Sequence, residues 1–222
     1  MHLRHIIPRP LALSVVALCA LAGTARSQES TSAPTALAPP GHIAWSGRLD
    51  AYLYIQEGGP RLMPILRGDR GPLHVEGRYE YEDARTGSAW VGWTLGAGKD
   101  LHLDIVPMAG LVLGRTDAWA PGLEATLSWR DIALYCESEQ VLDFDPDGDF
   151  FYTWSELTWQ ARPSLRFGLS VQYSRFEGGE TQTDPGLLVA LRRGPVELIA
   201  YGFDLDDDSR YAILTLSIIF PR

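Results

Sequence analysis

Polar and apolar side chains alternate at every second position over long stretches of this chain. In LHVEGRYEYE, residues 73–82, ionisable side chains occupy one set of alternate positions, and aliphatic side chains, aromatic side chains and one glycine occupy the other. Successive side chains of a β-strand point to opposite faces, so this period indicates a strand with one ionisable and one apolar face. A soluble β-sandwich and a membrane β-barrel both produce it, with opposite faces turned inward.

The length of the alternating segments favours the barrel. RLDAYLYIQ, LRFGLSVQYS and YAILTLSIIF repeat the period over about ten residues, and LHLDI and LEATLSW repeat it over shorter lengths. Strands of soluble sandwiches are typically nearer five or six residues. The apolar face of the last segment runs to Phe220, close to the chain end, as bacterial outer-membrane barrels commonly finish. The pattern therefore predicts an all-β fold, a closed antiparallel transmembrane β-barrel.

The connections between these segments alternate between short and long. ARPS, RRGP and GAGKD are short, whereas RFEGGETQTDPG, DFDPDGD and DLDDDS are long. Outer-membrane barrels have short periplasmic turns and longer external loops. With RLMPILRG as a faint second strand, the alternation predicts about twelve strands. Ten remain possible, because Pro64 and Pro107 lack a ladder donor and predict a bulge or bend.

The amino-terminal residues predict export. A basic start, the apolar run LALSVVALCALAG and the small residues of TARSQ are typical of a cleavable signal peptide over residues 1–27. A flexible Ser-, Thr-, Ala- and Pro-rich leader over 28–43 and a barrel over 44–222 would follow. Cleavage removes three arginines and no acid, so the formal charge falls from −9 to about −12, which argues against nucleic-acid binding.

Several phrases in fixed order support the same fold. LHVEGRYEYEDARTGSAWVGW, PMAGLVLG, APGLEATLSW, FFYTWSELTW and LRFGLSVQ make the chain resemble a family of small bacterial outer-membrane β-barrel proteins over residues 44–220. The resemblance implies the barrel fold and a bacterial outer-membrane location, with lipid and lipopolysaccharide as surroundings. It implies no activity and no site residues.

Catalytic and metal chemistry have little support in the sequence. DFDPDGD begins like a calcium loop, but Trp154 stands where the bidentate Glu belongs, so an acidic external turn is the better interpretation. Only His42, His74 and His102 follow the predicted signal peptide, without a nucleophile motif. We therefore predict no enzyme activity, no metal and no cofactor.

On the barrel interpretation, the ionisable face lines the lumen. The predicted inward groups are nine acids and four bases, namely Asp50, Glu76, Glu80, Asp104, Glu124, Glu137, Glu139, Glu156 and Glu197, with Arg48, Arg78, Arg166 and Arg192. Unpaired carboxylates in a dry interior are costly, so this surplus of acids predicts a narrow, water-filled, cation-preferring pore for small solutes. A non-conducting structural or surface-binding barrel is the alternative. On the lipid side, the aromatic residues predicted near strand ends are Tyr79, Tyr81, Trp93, Trp129 and Trp159.

Overall fold

The computed structural model describes residues 44–145, 148–206 and 208–220. The predicted signal peptide (1–27) and leader (28–43), with His42, lie outside the described residues. The described part of the chain contains no helix long and apolar enough to cross a membrane.

The described residues form a single antiparallel sheet of 13 strands. The strands are β1 (Ser46–Ile55), β2 (Arg61–Arg70), β3 (Leu73–Tyr79), β4 (Thr86–Trp93), β5 (Leu95–Gly98), β6 (Leu101–Gly114), β7 (Ala118–Trp129), β8 (Ile132–Asp143), β9 (Phe150–Arg162), β10 (Leu165–Phe176), β11 (Thr181–Arg193), β12 (Val196–Phe203) and β13 (Tyr211–Phe220).

The sheet closes on itself as a barrel. β1 pairs with β13 from Gly47 opposite Phe220 to Ile55 opposite Ala212, and β4 pairs with both β3 and β6. β4 and β5 pair with β6 in one continuous register, so together they occupy one strand position of the barrel wall. We call each such strand position a stave. The barrel therefore has twelve staves, as the sequence predicted, with β5 as an additional short strand.

Both prolines noted in the sequence lie where ladder pairing stops. β2 pairs with β3 only from Ile65 onward, immediately after Pro64. Pro107 lies between the paired residues Ile105 and Met108, opposite the break between β4 and β5. Proline cannot donate a backbone hydrogen bond, so pairing is lost locally. The register on either side of Pro107 is unchanged, so of the predicted bulge or bend, the structure has no bulge there.

The two ends of the barrel differ in their connections. Five turns of two residues each join strands at one end: 71–72, 99–100, 130–131, 163–164 and 194–195. Six connections of three to seven residues join strands at the other end. The segment RFEGGETQTDPG, predicted to be a long connection, contributes only residues 177–180 to its loop, because β10 extends to Phe176 and β11 already begins at Thr181. β1 begins and β13 ends at the short-turn end, in agreement with an even number of staves.

Apolar side chains cover the outer surface of the wall. Exposed members include Leu66, Val91, Leu113, Leu157, Leu169, Leu187, Leu198 and Leu216. Trp93, Trp129 and Trp159 are exposed near the short-turn end, and Tyr79 is exposed near the long-loop end. An apolar band with aromatic residues at its borders is the surface that a bilayer requires of a barrel.

Tyr81 differs from its predicted orientation. Glu80 has a positive φ of 55°, so β3 ends at Tyr79 and the strict alternation of side chains ends with it. The ring of Tyr81 consequently turns inward, where it lies 5.9 Å from the ring of Tyr152 and 4.6 Å from the guanidinium carbon of Arg78.

Candidate functional site

Arg78 forms the first half of an ion-pair network that crosses the lumen. β3 turns its side chain inward, and its Nε lies 2.6 Å from Glu76 Oε2 on the same strand. Its Nη1 lies 2.8 Å from Glu137 Oε1 and 3.0 Å from Glu139 Oε2, both on β8. β3 and β8 are not neighbours in the sheet, so these contacts span the interior.

Arg67 on β2 forms the second half of the ion-pair network that crosses the lumen. Its Nη1 lies 2.6 Å from Asp50 Oδ2 on β1, and its Nε lies 2.8 Å from Glu76 Oε1 on β3. Nη2 lies 3.7 Å from Glu137 Oε2, and Nε lies 3.9 Å from Glu124 Oε1 on β7. The sequence prediction did not include Arg67, which the faint alternation of the second strand concealed.

Carboxylates outnumber guanidinium groups in this arrangement. We call the following residues the central network: Arg67, Arg78, Asp50, Glu76, Glu82, Glu124, Glu137 and Glu139. The guanidinium groups of Arg67 and Arg78 thus face six carboxylates within 4.0 Å, and a third guanidinium group, that of Arg48, contacts one of these carboxylates, Asp50, at 2.6 Å. Tyr135 donates hydrogen bonds to Glu124 at 2.8 Å and to Glu137 at 3.0 Å, so these two carboxylates have a donor besides the guanidinium groups.

A second, smaller group of ion pairs continues from the central network. Arg166 on β10 lies 3.3 Å from Glu197 and 3.8 Å from Glu156. Arg48 joins the two groups, because its Nε lies 2.6 Å from Asp50 Oδ1 and its Nη2 lies 3.7 Å from Glu197 Oε2. The charged inner surface therefore extends around much of the lumen.

Two clusters of apolar side chains fill other parts of the lumen. One comprises Trp154, Leu188, Ala190, Ile199, Tyr201, Phe203 and Ile213. The other comprises Trp90, Met108, Val112, Ala118, Ala120 and Val141. Trp90 fits there because Gly110 and Gly122 face it, and a Cβ built on Gly110 would lie 2.4 Å from the indole. Side chains thus fill parts of the lumen, and free space remains toward one end.

That free space is a recess at the long-loop end. Cavities of about 410 and 760 Å³ share Tyr54, Gln56, Gln172 and Ser174 in their walls, and we call them together the vestibule. Its lining includes eight acids and two arginines, namely Glu57, Glu82, Asp83, Glu139, Asp143, Asp184, Asp204 and Asp208, with Arg61 and Arg210. Sequence reasoning missed most of these residues because they belong to loops or strand ends, where alternation gives no orientation.

Three of the predicted lumen residues, Glu80, Asp104 and Arg192, lie outside both groups of ion pairs. Glu80 follows the end of β3, and its Oε2 lies 3.7 Å from Arg61 Nε. Asp104 pairs with His102 at 3.1 Å near the short-turn end, where both side chains are over two-fifths exposed. Arg192 is exposed at the end of β11 and donates to the Gly194 carbonyl.

One group of potential metal ligands occurs in the described part of the chain. Ligand atoms of His74, Glu76 and Glu124 lie within 4.8 Å of one another. Arg67 Nε is already 2.8 Å from Glu76 Oε1 and His74 Nε2 is 2.9 Å from it, so a metal ion there would compete with a guanidinium group.

The chain matches no protein-family model and no curated protein sequence. Its fold does match solved structures. The KdgM porin in complex with disordered oligogalacturonate superposes with a TM-score of 0.56 and 9% sequence identity, over 79% of this chain and 99% of that porin. The NanC porin superposes with a TM-score of 0.55 and 8% identity, over 78% of this chain and all of that porin.

These similarities extend over nearly the whole length of both porins at an identity too low to transfer a ligand or a site residue. They agree with the closed antiparallel barrel described above. The chain therefore has the β-barrel fold of the bacterial outer-membrane porins.

Proposed function

We propose that this protein is a narrow outer-membrane channel that prefers small cations and cationic solutes. The observation that carries the proposal is the central network, in which six carboxylates outnumber the guanidinium groups of Arg67, Arg78 and the adjoining Arg48. Carboxylates that line a narrow passage favour cations, because passage walls of low dielectric focus their field on the permeating ion.

The proposed location follows from the outer surface and the fold. The apolar band would contact lipid, and the Trp-bearing short-turn end would face the periplasm. The long loops and the vestibule would then face the outside, beside the lipopolysaccharide headgroups. The acidic loop residues near this rim would contact the divalent cations that bridge those headgroups.

The proposed route begins in the vestibule and continues past the central network. The contacts that cross the lumen narrow it at Arg67 and Arg78, so only small solutes would pass. The surplus of carboxylates in both regions makes the proposed route attractive to cations along much of its length.

A non-conducting structural or surface-binding barrel is the second candidate, and the same network supports it. Arg78 and Glu76 have fully buried side chains. If those ion pairs and the two apolar clusters leave no continuous water path, the barrel would be a closed wall with an external recess.

Solute entry into proteoliposomes tests the proposal. We expect lysine to enter faster than glutamate, which is similar in size and opposite in charge, while protein-free liposomes admit neither. Replacing Glu76, Glu137 and Glu156 together with Gln should reduce the ratio of the two rates. No entry above that of the protein-free liposomes would support the second candidate, and faster entry of glutamate would refute the cation preference.

A further inference from the structure

We propose that the vestibule is a binding site for small organic cations that carry an N–H donor and an apolar or aromatic body, such as primary amines. This inference rests on the proposed function and names the class of solute.

The charge of the lining favours a cation. Eight acidic side chains and two arginines line the two compartments. Charges that line a recess with low-dielectric walls act together on a solute, so an ammonium or guanidinium group is attracted and a carboxylate is repelled.

Glu82 supplies a specific acceptor for the cationic group. Its side chain is fully buried, and its Oε1 accepts hydrogen bonds from Ser88 Oγ at 2.6 Å and from Trp90 Nε1 at 3.2 Å. Its Oε2 has no hydrogen-bond partner, although the residue lines the smaller compartment of the vestibule. A buried carboxylate oxygen without a donor is costly, so a ligand N–H at this position would gain a charge-assisted hydrogen bond.

Gln172 adds a second unpartnered polar group on the wall that the two compartments share. Its Oε1 accepts from Tyr152 at 3.0 Å, whereas its Nε2 has no partner, and only 8% of the residue is exposed. Both unpartnered atoms are buried and belong to side chains that line the vestibule, so a polar solute that reaches them would satisfy an acceptor and a donor, which a hydrocarbon would not.

Aromatic rings supply the surface for the body of the ligand. Tyr54, Tyr81, Phe150, Tyr152 and Phe176 line the smaller compartment beside Glu82. The rings of Tyr81 and Tyr152 meet edge to face at 5.9 Å, and those of Phe150 and Phe176 lie 6.2 Å apart. Aromatic faces attract cations as well as apolar groups, so they complement both parts of an arylalkylamine.

Calorimetric titration of the full barrel in detergent micelles tests the inference with four probes that share a benzyl or phenyl ring. Benzylamine carries N–H donors and a positive charge, benzyltrimethylammonium carries the charge alone, benzyl alcohol is neutral and benzoate is an anion. We expect benzylamine to bind most tightly and benzoate to show no binding. Glu82→Gln, which retains the Oε1 acceptor, should weaken benzylamine binding by about tenfold or more.

Asp104→Asn is the matched control, because it removes a carboxylate at the opposite end of the barrel and should leave benzylamine binding unchanged. Benzoate binding as tightly as benzylamine would overturn the inference, and so would an unchanged affinity in folded Glu82→Gln. The wild-type probe series decides the question even if that variant fails to fold. Binding in micelles needs no conduction, so a barrel that binds benzylamine but admits no lysine refutes only the proposed channel.

Discussion

The guanidinium charge of Arg78 is buried in the barrel interior, and the carboxylates paired with it offset the cost of that burial. Its side chain is fully buried, and Glu76, Glu137 and Glu139 lie within 3.0 Å of its guanidinium nitrogens. The rings of Tyr81 and Trp90 lie 4.6 and 4.5 Å from its guanidinium carbon. Burial of the Arg78 charge costs solvation free energy, and the ion pairs and ring contacts offset that cost.

Removal of this guanidinium group should therefore destabilise the barrel. We expect Arg78→Met to lower the free energy of unfolding by about 3–5 kcal/mol, because it leaves buried carboxylates without a counter-charge. Arg115→Met is the control, since Arg115 is largely exposed and its Nε lies 3.5 Å from Asp83; it should cost less than about 1 kcal/mol. Urea titration of the protein in lipid vesicles measures both, and equal costs would show that the network does not stabilise the fold.

Residue orientation could be predicted from the sequence where a strand is regular and not elsewhere. Glu76, Arg78, Glu137 and Glu139 follow strict alternation, and all four turn inward in the structure. Arg67 was missed because Met63 and Ile65 place apolar side chains on the inner face of β2, which hides the period. Which residues meet across the lumen depends on the barrel's width and stagger, and a strand's period encodes neither.

At the scale of the strand, β10 places its side chains in two environments, the outer surface of the barrel and the lumen. Leu169 is 54% exposed on the outer face, whereas Gln172 on the inner face lines the vestibule opposite Asp184. The two residues lie at similar distances from the middle of Leu165–Phe176. They therefore allow the two faces to be compared at nearly the same depth in a bilayer.

The two faces of β10 should respond differently to a new charge. Leu169→Arg should cost about 2–4 kcal/mol of unfolding free energy in lipid vesicles, because the charge would enter hydrocarbon near the midplane. Gln172→Arg should cost much less, since its guanidinium group would lie beside Asp184 in the vestibule. Similar penalties at the two positions would mean that the facing of β10 is wrong.

The number of strands could be predicted because turn length and alternation are local properties of the sequence. The alternation of short turns at one end with longer connections at the other predicted twelve strands, including β2, in which polar and apolar residues alternate only weakly. The end of β3 could not be predicted in this way, because the positive φ of Glu80 does not show in the pattern of polar and apolar residues. For the same reason, the orientations of Glu80 and Tyr81 could not be predicted.

At the scale of the whole molecule, the barrel combines ion pairs that cross its lumen with an acidic recess at the long-loop end. The central network crosses the lumen, the two apolar clusters fill other parts of it, and the vestibule opens among the long loops. Twelve strands enclose a lumen between that of small filled barrels and that of wide porins, so side chains decide whether water and ions pass.

Single-channel recording across a planar bilayer, with a KCl gradient between the two sides, tests the proposed cation-preferring channel most directly. The surplus of carboxylates predicts discrete conductance steps and a reversal potential of the cation-selective sign. The reversal potential should move toward zero when Glu76, Glu137 and Glu156 are all replaced with Gln. A folded barrel that shows no conductance, or a reversal potential of the anion-selective sign, would contradict the proposal.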